Sequence, residues 1–271
     1  MTRISVCIKG AGEMASAVAW RLFMVNIRNI VMLEVPQPLA VRRGVSFCEA
    51  VYDGSQTVEG VGAVRVKSPV SIAEAWKQGK IGVAVDPGWD LERLLRPDVV
   101  VDAILAKENL GSSISEAPLV IALGPGFRAG CDAHFVIETN RGHDLGRVIS
   151  DGCAAPDTGI PGEVSGYTEE RVLRAPAAGI FRPDREIGDR IERGQSVGRI
   201  GGVKVEARID GVLRGLIRPG AGVCEGLKIG DIDPRGDGVS CVTISDKARA
   251  VAGSVLEAIL RVYMAPGRLA P

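Results

Sequence analysis

The stretch ISVCIKGAGEMASAVAWRLF, residues 4–23, decides how the chain is read. An apolar run of strand length (4–8) meets Gly10-Ala11-Gly12, and small and apolar residues then recur with helical spacing. Strand, glycine turn and helix in this order open a Rossmann-type α/β domain. Gly10 permits the tight turn, Gly12 lets a phosphate approach the backbone, and the small Ala15 lets the helix pack closely on the strand. Free N–H groups at the helix start would meet the negative charge. Glu34 ends the next apolar run, about where such folds place a carboxylate that accepts a ribose hydroxyl. Glu13 points to the opposite reading, because a carboxylate in the first helical turn caps the helix by itself and leaves the cradle vacant.

Outward from this turn, apolar runs at 30–35, 81–86, 98–104 and 118–123 alternate with helix-like stretches at 13–26, 70–79 and 89–96. Near-continuous β-branched runs separated by helices predict a doubly wound parallel sheet covered on both faces, extended by HFVIET 134–139. Glycine use changes near residue 124: ten of the 35 glycines precede it and 25 follow. Beyond residue 160 turns come every eight to twelve residues, as in a β sandwich or barrel. A shift of 32 residues aligns Ala175, Gly179, Arg182, Gly188, Gly194, Gly198 and Ile200 with Ala207, Gly211, Arg214, Gly220, Gly226, Gly230 and Ile232. Two such copies wrap on each other to bury a face that neither buries alone. The repeat resembles the barrel-sandwich hybrid of biotinyl and lipoyl carrier domains. It lacks their lysine-bearing hairpin, since Lys204 is the sole lysine of GGVKVEARIDG 201–211 and lies in a strand-like run. A docking or framing module is therefore expected rather than a carrier. Residues 245–264 read as a closing helix capped by Ser245 or Asp246. The expected organisation is a Rossmann-like domain at 1–160, a β-rich barrel-sandwich-like domain at 161–244, and a C-terminal helix and tail at 245–271.

Composition excludes several classes of function. With 33 basic and 33 acidic residues among 271, no charge excess points to nucleic acid or a membrane surface. Residues 1–8 are too short an apolar run for a signal-peptide core, and a cytoplasmic protein is expected. Six cysteines without a CxxC pair and only two histidines argue against a zinc ribbon or a His-rich metal site. No GxSxG, HExxH or P-loop occurs.

Polar groups concentrate in GPGFRAGCDAHFVIETNRGHDLGRVI, 124–149, which gathers Arg128, Cys131, Asp132, His134, Glu138, Thr139, Arg141, His143 and Arg147. Glycine-rich loops at sheet ends are where open α/β folds bind ligands. Arg141 and Arg147 suit anion recognition or a surface ion pair with Asp144 or Glu138. His143 suits a general base or a capping hydrogen bond. Cys131, Asp132 and His134 make a poor metal set, and no metal is expected. In VDAILAKENLGSS 101–113, Lys107 and Asn109 follow the strand that ends near Asp102 and could hold a phosphate or a carbonyl. The candidate cofactor-binding set is Gly10, Gly12, Glu13, Ala15, Glu34, Lys107, Asn109, Gly124, Gly126, Arg141 and His143, and the candidate catalytic set is His143, Lys107 and Asp132.

With GAGEMA at 10–15, AKEN at 106–109, the 124–149 signature, GIPG at 159–162 and KIGDIDPR at 228–235, the chain resembles the selenium-dependent molybdenum hydroxylase accessory proteins, the YqeB family, which look like distant relatives of the xanthine dehydrogenase accessory factors. The resemblance implies a maturation protein that holds molybdenum cofactor, a pterin nucleotide, in its Rossmann domain, with the hydroxylase as partner. It leaves open whether any reaction is catalysed and whether the chain forms a homo-oligomer. The alternatives are an NAD-dependent oxidoreductase using an NAD-like nucleotide, and a non-catalytic scaffold for the hydroxylase.

Overall fold

The computed structural model describes residues 4–236 and 240–264. The chain divides into two compact units, one of residues 1–38, 45–157 and 244–271, the other of residues 39–44 and 158–243.

The first unit is built on β1 (Ser5–Lys9), β2 (Asn29–Glu34), β3 (Ser55–Val58), β4 (Val61–Val66), β5 (Ile81–Val85), β6 (Val99–Asp102), β7 (Leu119–Leu123), β9 (Phe135–Ile137) and β10 (Val148–Ile149). A small ladder of β8 (Arg128–Ala129) with β11 (Gly152–Cys153) stands apart. The nine-stranded order is β10-β9-β7-β6-β1-β2-β5-β4-β3, with the inner seven parallel and β3 and β10 antiparallel at the edges. The buried faces of these strands explain why their apolar runs hardly alternate. Helix α1 (Glu13–Met24) follows β1, and α2 (Ala50–Asp53) is a single turn. Helix α3 (Pro69–Lys77) starts on a Ser68 cap with proline at its first turn, and α4 (Asp90–Leu95) is flanked by left-handed Trp89 and Arg96. One sheet face packs Cys7, Val31, Leu33, Val100 and Val120 against Ile72 and Ala75 of α3 and Leu91 and Leu95 of α4. Helix α5 (Asp246–Tyr263), capped by Ser245 through the Ala248 N–H, packs on α1 and against β7 and β9.

This arrangement corrects the expected doubly wound Rossmann sheet. Strand β5 inserts between β2 and β4, and the connections from β6 to β7 and from β7 to β9 contain no helix. A doubly wound sheet needs a crossover helix at each of those steps. Here α5, from the far end of the chain, covers β7 and β9 instead. What stands is a mixed α/β sheet.

The second unit holds β12 (Val172–Arg174), β13 (Gly179–Pro183), β14 (Arg190–Ile191), β15 (Ser196–Ile200), β16 (Val203–Glu206), β17 (Gly211–Leu216), β18 (Gly222–Val223) and β19 (Lys228–Asp233). They form two four-stranded sheets, β12-β19-β17-β14 and β16-β15-β13-β18. The 32-residue shift carries β13, β14 and β15 onto β17, β18 and β19, and the two copies exchange their short middle strands: β14 pairs with β17, β18 with β13. Phe181, Val197, Ile200, Leu213, Ile229 and Ile232 fill the shared core. Asp231 and Asp233 are buried there and paired with Arg171, Arg214 and Arg235. The expected biotinyl/lipoyl-like barrel-sandwich module is corrected as well. The unit consists of two separate antiparallel sheets, and Lys204 lies within strand β16, not on a presenting hairpin.

Among the described residues no helix is long and apolar enough to cross a membrane.

Candidate functional site

The parallel strands of the first unit end together, so the loops that follow β1, β6, β7 and β9 lie along one edge of the sheet. Gly10, at φ +90°, donates its N–H to Leu33 O at 2.7 Å and passes so close to the β6 loop that a Cβ would stand 3.2 Å from Ala103 O. Gly124 and Gly126 serve the same purpose. A Cβ would meet Thr139 Oγ1 at 2.7 Å in the first and Glu108 Cα at 2.6 Å in the second. They are loop-packing glycines, required by this close approach. Gly12 differs: it starts α1 with no side-chain cap, and a Cβ built on it meets nothing within 4 Å. Ala15 is buried under the turn, as close helix packing requires.

Glu34 does not face a ribose. Its carboxylate accepts the N–H of Ala11 through Oε2 and of Val35 through Oε1, both at 2.8 Å, and so closes the glycine turn from within. Burial raises its pKa. Asn109 is likewise spent on its own loop, accepting from Gly111 and Ser112 and donating to Ser112 O. His143 is exposed, and among the described residues nothing orients its ring. Asp132 accepts the Arg128 N–H at 2.7 Å and pins a tight turn. Cys131, Asp132 and His134 precede β9 and therefore lie toward the other end of the strands from the 138–147 loop. Among the described residues no group of three His, Cys, Asp or Glu gathers to hold a metal. Arg147 pairs loosely with Asp144 on the surface. Glu138 is buried and braces Asn140 and Ala155.

Two expected residues each meet an acid, and a lysine that spacing could not reveal follows one of those acids in the chain. Lys107 reaches Asp157 at 2.5 Å, and Arg141 makes a two-pronged pair with Asp246, the first residue of α5, at 3.0 and 3.1 Å. The next residue, Lys247, is half-buried. Burial pushes its amine below the ordinary lysine range, the charges of Arg141 and Lys107 push it further, and Glu13 and Glu138 pull back. Among the described residues no acid lies within ion-pairing distance of its Nζ, whereas the other two cations each have one. Helices α1 and α5 pack against each other. This edge therefore presents the start of α1 with open room above Gly12, and the start of α5 with the half-buried Lys247 in its first turn.

A second buried lysine was also missed. Lys9, fully buried at the end of β1, donates to Glu116 at 2.7 Å and Ser112 Oγ at 2.9 Å, lies 3.3 Å from Glu92 and sits 3.7 Å over the Trp89 ring. Ser112 passes its own hydroxyl proton to Asp102 at 2.7 Å. Burial raises the Glu92 carboxyl. The only signal in the sequence was a charge directly after an apolar strand.

His134 has a structural part. Its Nδ1 accepts the Val120 N–H at 3.0 Å, which requires that nitrogen to be unprotonated, and burial lowers the ring's pKa. The unfolded chain then binds the proton more readily than the folded one, so stability should be full above the ordinary histidine value, near pH 6.5, and fall as pH drops through it. Thermal melts between pH 8 and 5 check this. His134→Gln should flatten the slope, and an unchanged slope would refute the assignment.

No family model matches the chain. Solved structures that it is similar to include an aspartoacylase family protein from Mesorhizobium loti (15% identical, 85% of each chain covered, TM-score 0.26). Others are the ectoine utilization protein EutE from Ruegeria pomeroyi (9%, 85% of this chain and 86% of that one, TM-score 0.26) and a succinylglutamate desuccinylase from a Silicibacter species (13%, 84% of each, TM-score 0.24). Likeness this slight lends the chain neither fold nor activity. With the sheet not doubly wound and Glu34 turned inward, the maturation role loses the Rossmann cofactor domain on which it rested, and the oxidoreductase and scaffold alternatives gain no support. In sequence, the chain is 50% identical over 255 residues to the Escherichia coli (strain K12) protein described as uncharacterized protein YqeB, which covers 94% of this chain. It spans 47% of that protein's length. The chain is thus similar to about half of YqeB, over nearly all of its own length.

Proposed function

We propose that the first unit binds a small organic anion, a phosphate or carboxylate carried on a larger molecule, at the C-terminal edge of its parallel sheet. The open space over Gly12, at a helix start that no side chain caps, supports this reading most directly. Such a start leaves backbone N–H groups for an anion to meet. The N-termini of α1 and α5 add their partial positive charges, and the space over Gly12 lets a phosphate reach the first-turn N–H groups. The nucleotides expected from the sequence, a pterin nucleotide or an NAD-like one, belong to this ligand class. Their phosphate would be held here, without a ribose contact from Glu34.

Calorimetric titration of the full chain with inorganic phosphate, AMP and NAD+ tests the proposal. Gly12→Asp has room for its side chain and makes a good helix cap, so the fold should hold or gain about 0.3 kcal/mol. The same carboxylate occupies the anion's place, and affinity should fall by about 10–100-fold, the worth of a charge-assisted hydrogen bond. Loss of binding without loss of stability is the expected signature. Saturable binding by none of the three ligands, or equal binding by Gly12→Asp, refutes the proposal.

A further inference from the structure

We propose that the second unit has a binding site of its own, a cleft that takes a small organic anion made of one carboxylate on a short apolar chain. The cleft has a volume of ≈ 320 Å³, close to the lower limit of roughly 300 Å³ for small-molecule sites, and so suits a small ligand. Its walls come from β12 and β16, each the edge strand of its own sheet. The 32-residue shift carries residues 172–174 of β12 onto 204–206 of β16, so the same strand from both copies of the repeat lines the cleft.

The repeat supplies an internal control. Leu173 and its counterpart Val205 are both buried and make the apolar part of the lining. Around them the copies diverge in charge. Val172 and Pro176 of the first copy answer to Lys204 and Arg208 of the second, so a strand at this place folds without either cation. Lys204 and Arg208 are exposed, and among the described residues neither has an acid within ion-pairing distance, although Glu170 acts on Arg208 from farther off. Arg174 of β12 donates one N–H to Gly226 O at 3.0 Å, which steadies its guanidinium and leaves the other donors of the fork for a ligand. These three cations exceed the lining acids, Glu169 and Glu206, by one charge, and a ligand with one anionic group balances them. Its apolar chain lies on Leu173 and Val205, and its carboxylate takes charge-assisted hydrogen bonds from the cations.

Hexanoate is the probe, with hexylamine as the control of opposite charge, titrated into the full chain by calorimetry and by backbone amide shifts in NMR. Hexanoate should bind saturably and shift the amides of 172–176 and 203–208, and hexylamine should do neither. Lys204→Val writes the first copy's residue into the second, and valine is a good strand former, so the fold should hold. That variant and Arg208→Gln should each weaken hexanoate by about 10–100-fold, the worth of a charge-assisted hydrogen bond, with the melting temperature unchanged. No saturable binding, or equal binding by both variants, overturns the proposal. Shifts confined to the residues about Gly12 would place the carboxylate in the first unit and overturn the cleft while sparing the anion site there.

Discussion

Lys9→Met is expected to destabilise the first unit by about 3–5 kcal/mol, the cost of removing one partner from a buried charge cluster. The lysine is enclosed completely, with Glu116 at 2.7 Å, Ser112 at 2.9 Å, Glu92 at 3.3 Å and the Trp89 ring on its open side. Methionine fills nearly the same volume, so packing changes little and the loss is electrostatic. Glu92 is 3% exposed, and without the ammonium it must either keep an unpaired charge in the interior or take up a proton. Ser112 would lose the donor that sets its hydroxyl toward Asp102, and with it one anchor of the loop after β6. At roughly 2–4 °C per kcal/mol for a unit of this size, the melting temperature should fall by about 6–20 °C. Lys9→Met combined with Glu92→Gln and Glu116→Gln removes the amine and both carboxylates beside it and should recover more than half of the loss. A single variant that melts within a degree or two of the parent would mean that the cage is not stabilising.

The parts of this molecule that were legible in its sequence are those set by local pattern. Strand β1, the Gly10–Gly12 turn and α1 follow from an apolar run, two glycines and a small-residue helix face, and α5 from Ser245 and its apolar spacing. The 32-residue repeat located β13, β14 and β15 and their copies β17, β18 and β19 because identical turns need glycines at identical places. Hidden features depend on distance in the chain. No spacing rule places β5 between β2 and β4, since that order is decided by how whole faces pack. The β3–β4 hairpin begins with SQTV, too polar to read as a strand on its own. In the site the limits were sharper. Glu34 was noticed for the right reason, a carboxylate ending β2 beside a glycine turn, yet a side-chain rotation turned it onto the turn's own N–H groups. Asn109 folded back on its loop. Lys247 reaches the edge from more than a hundred residues beyond Arg141, on a helix that a doubly wound fold would not have put there.

Gly126→Ala tests how the loops that frame this edge are held. The residue has φ +102°, where a side chain costs about 1–3 kcal/mol in backbone strain, and the added Cβ would lie 2.6 Å from Glu108 Cα and 2.7 Å from its N. Backbone cannot step aside as a flexible side chain can, so the loop carrying Lys107, Glu108 and Asn109 must move, adding an overpacking cost of about 1–3 kcal/mol. The expected total is about 2–6 kcal/mol, read as a lower melting temperature. Gly130→Ala separates the two contributions. That glycine also has positive φ, +83°, but an added Cβ meets nothing within 4 Å, so strain alone should remain. Because Lys107 adjoins Glu108, the Gly126 variant should also weaken phosphate binding, whereas the Gly130 variant should not. Equal destabilisation by the two variants would mean that the loops can separate freely. The close approach at Gly126 would then be incidental, and the position of Lys107 would have to be set by its Asp157 partner alone.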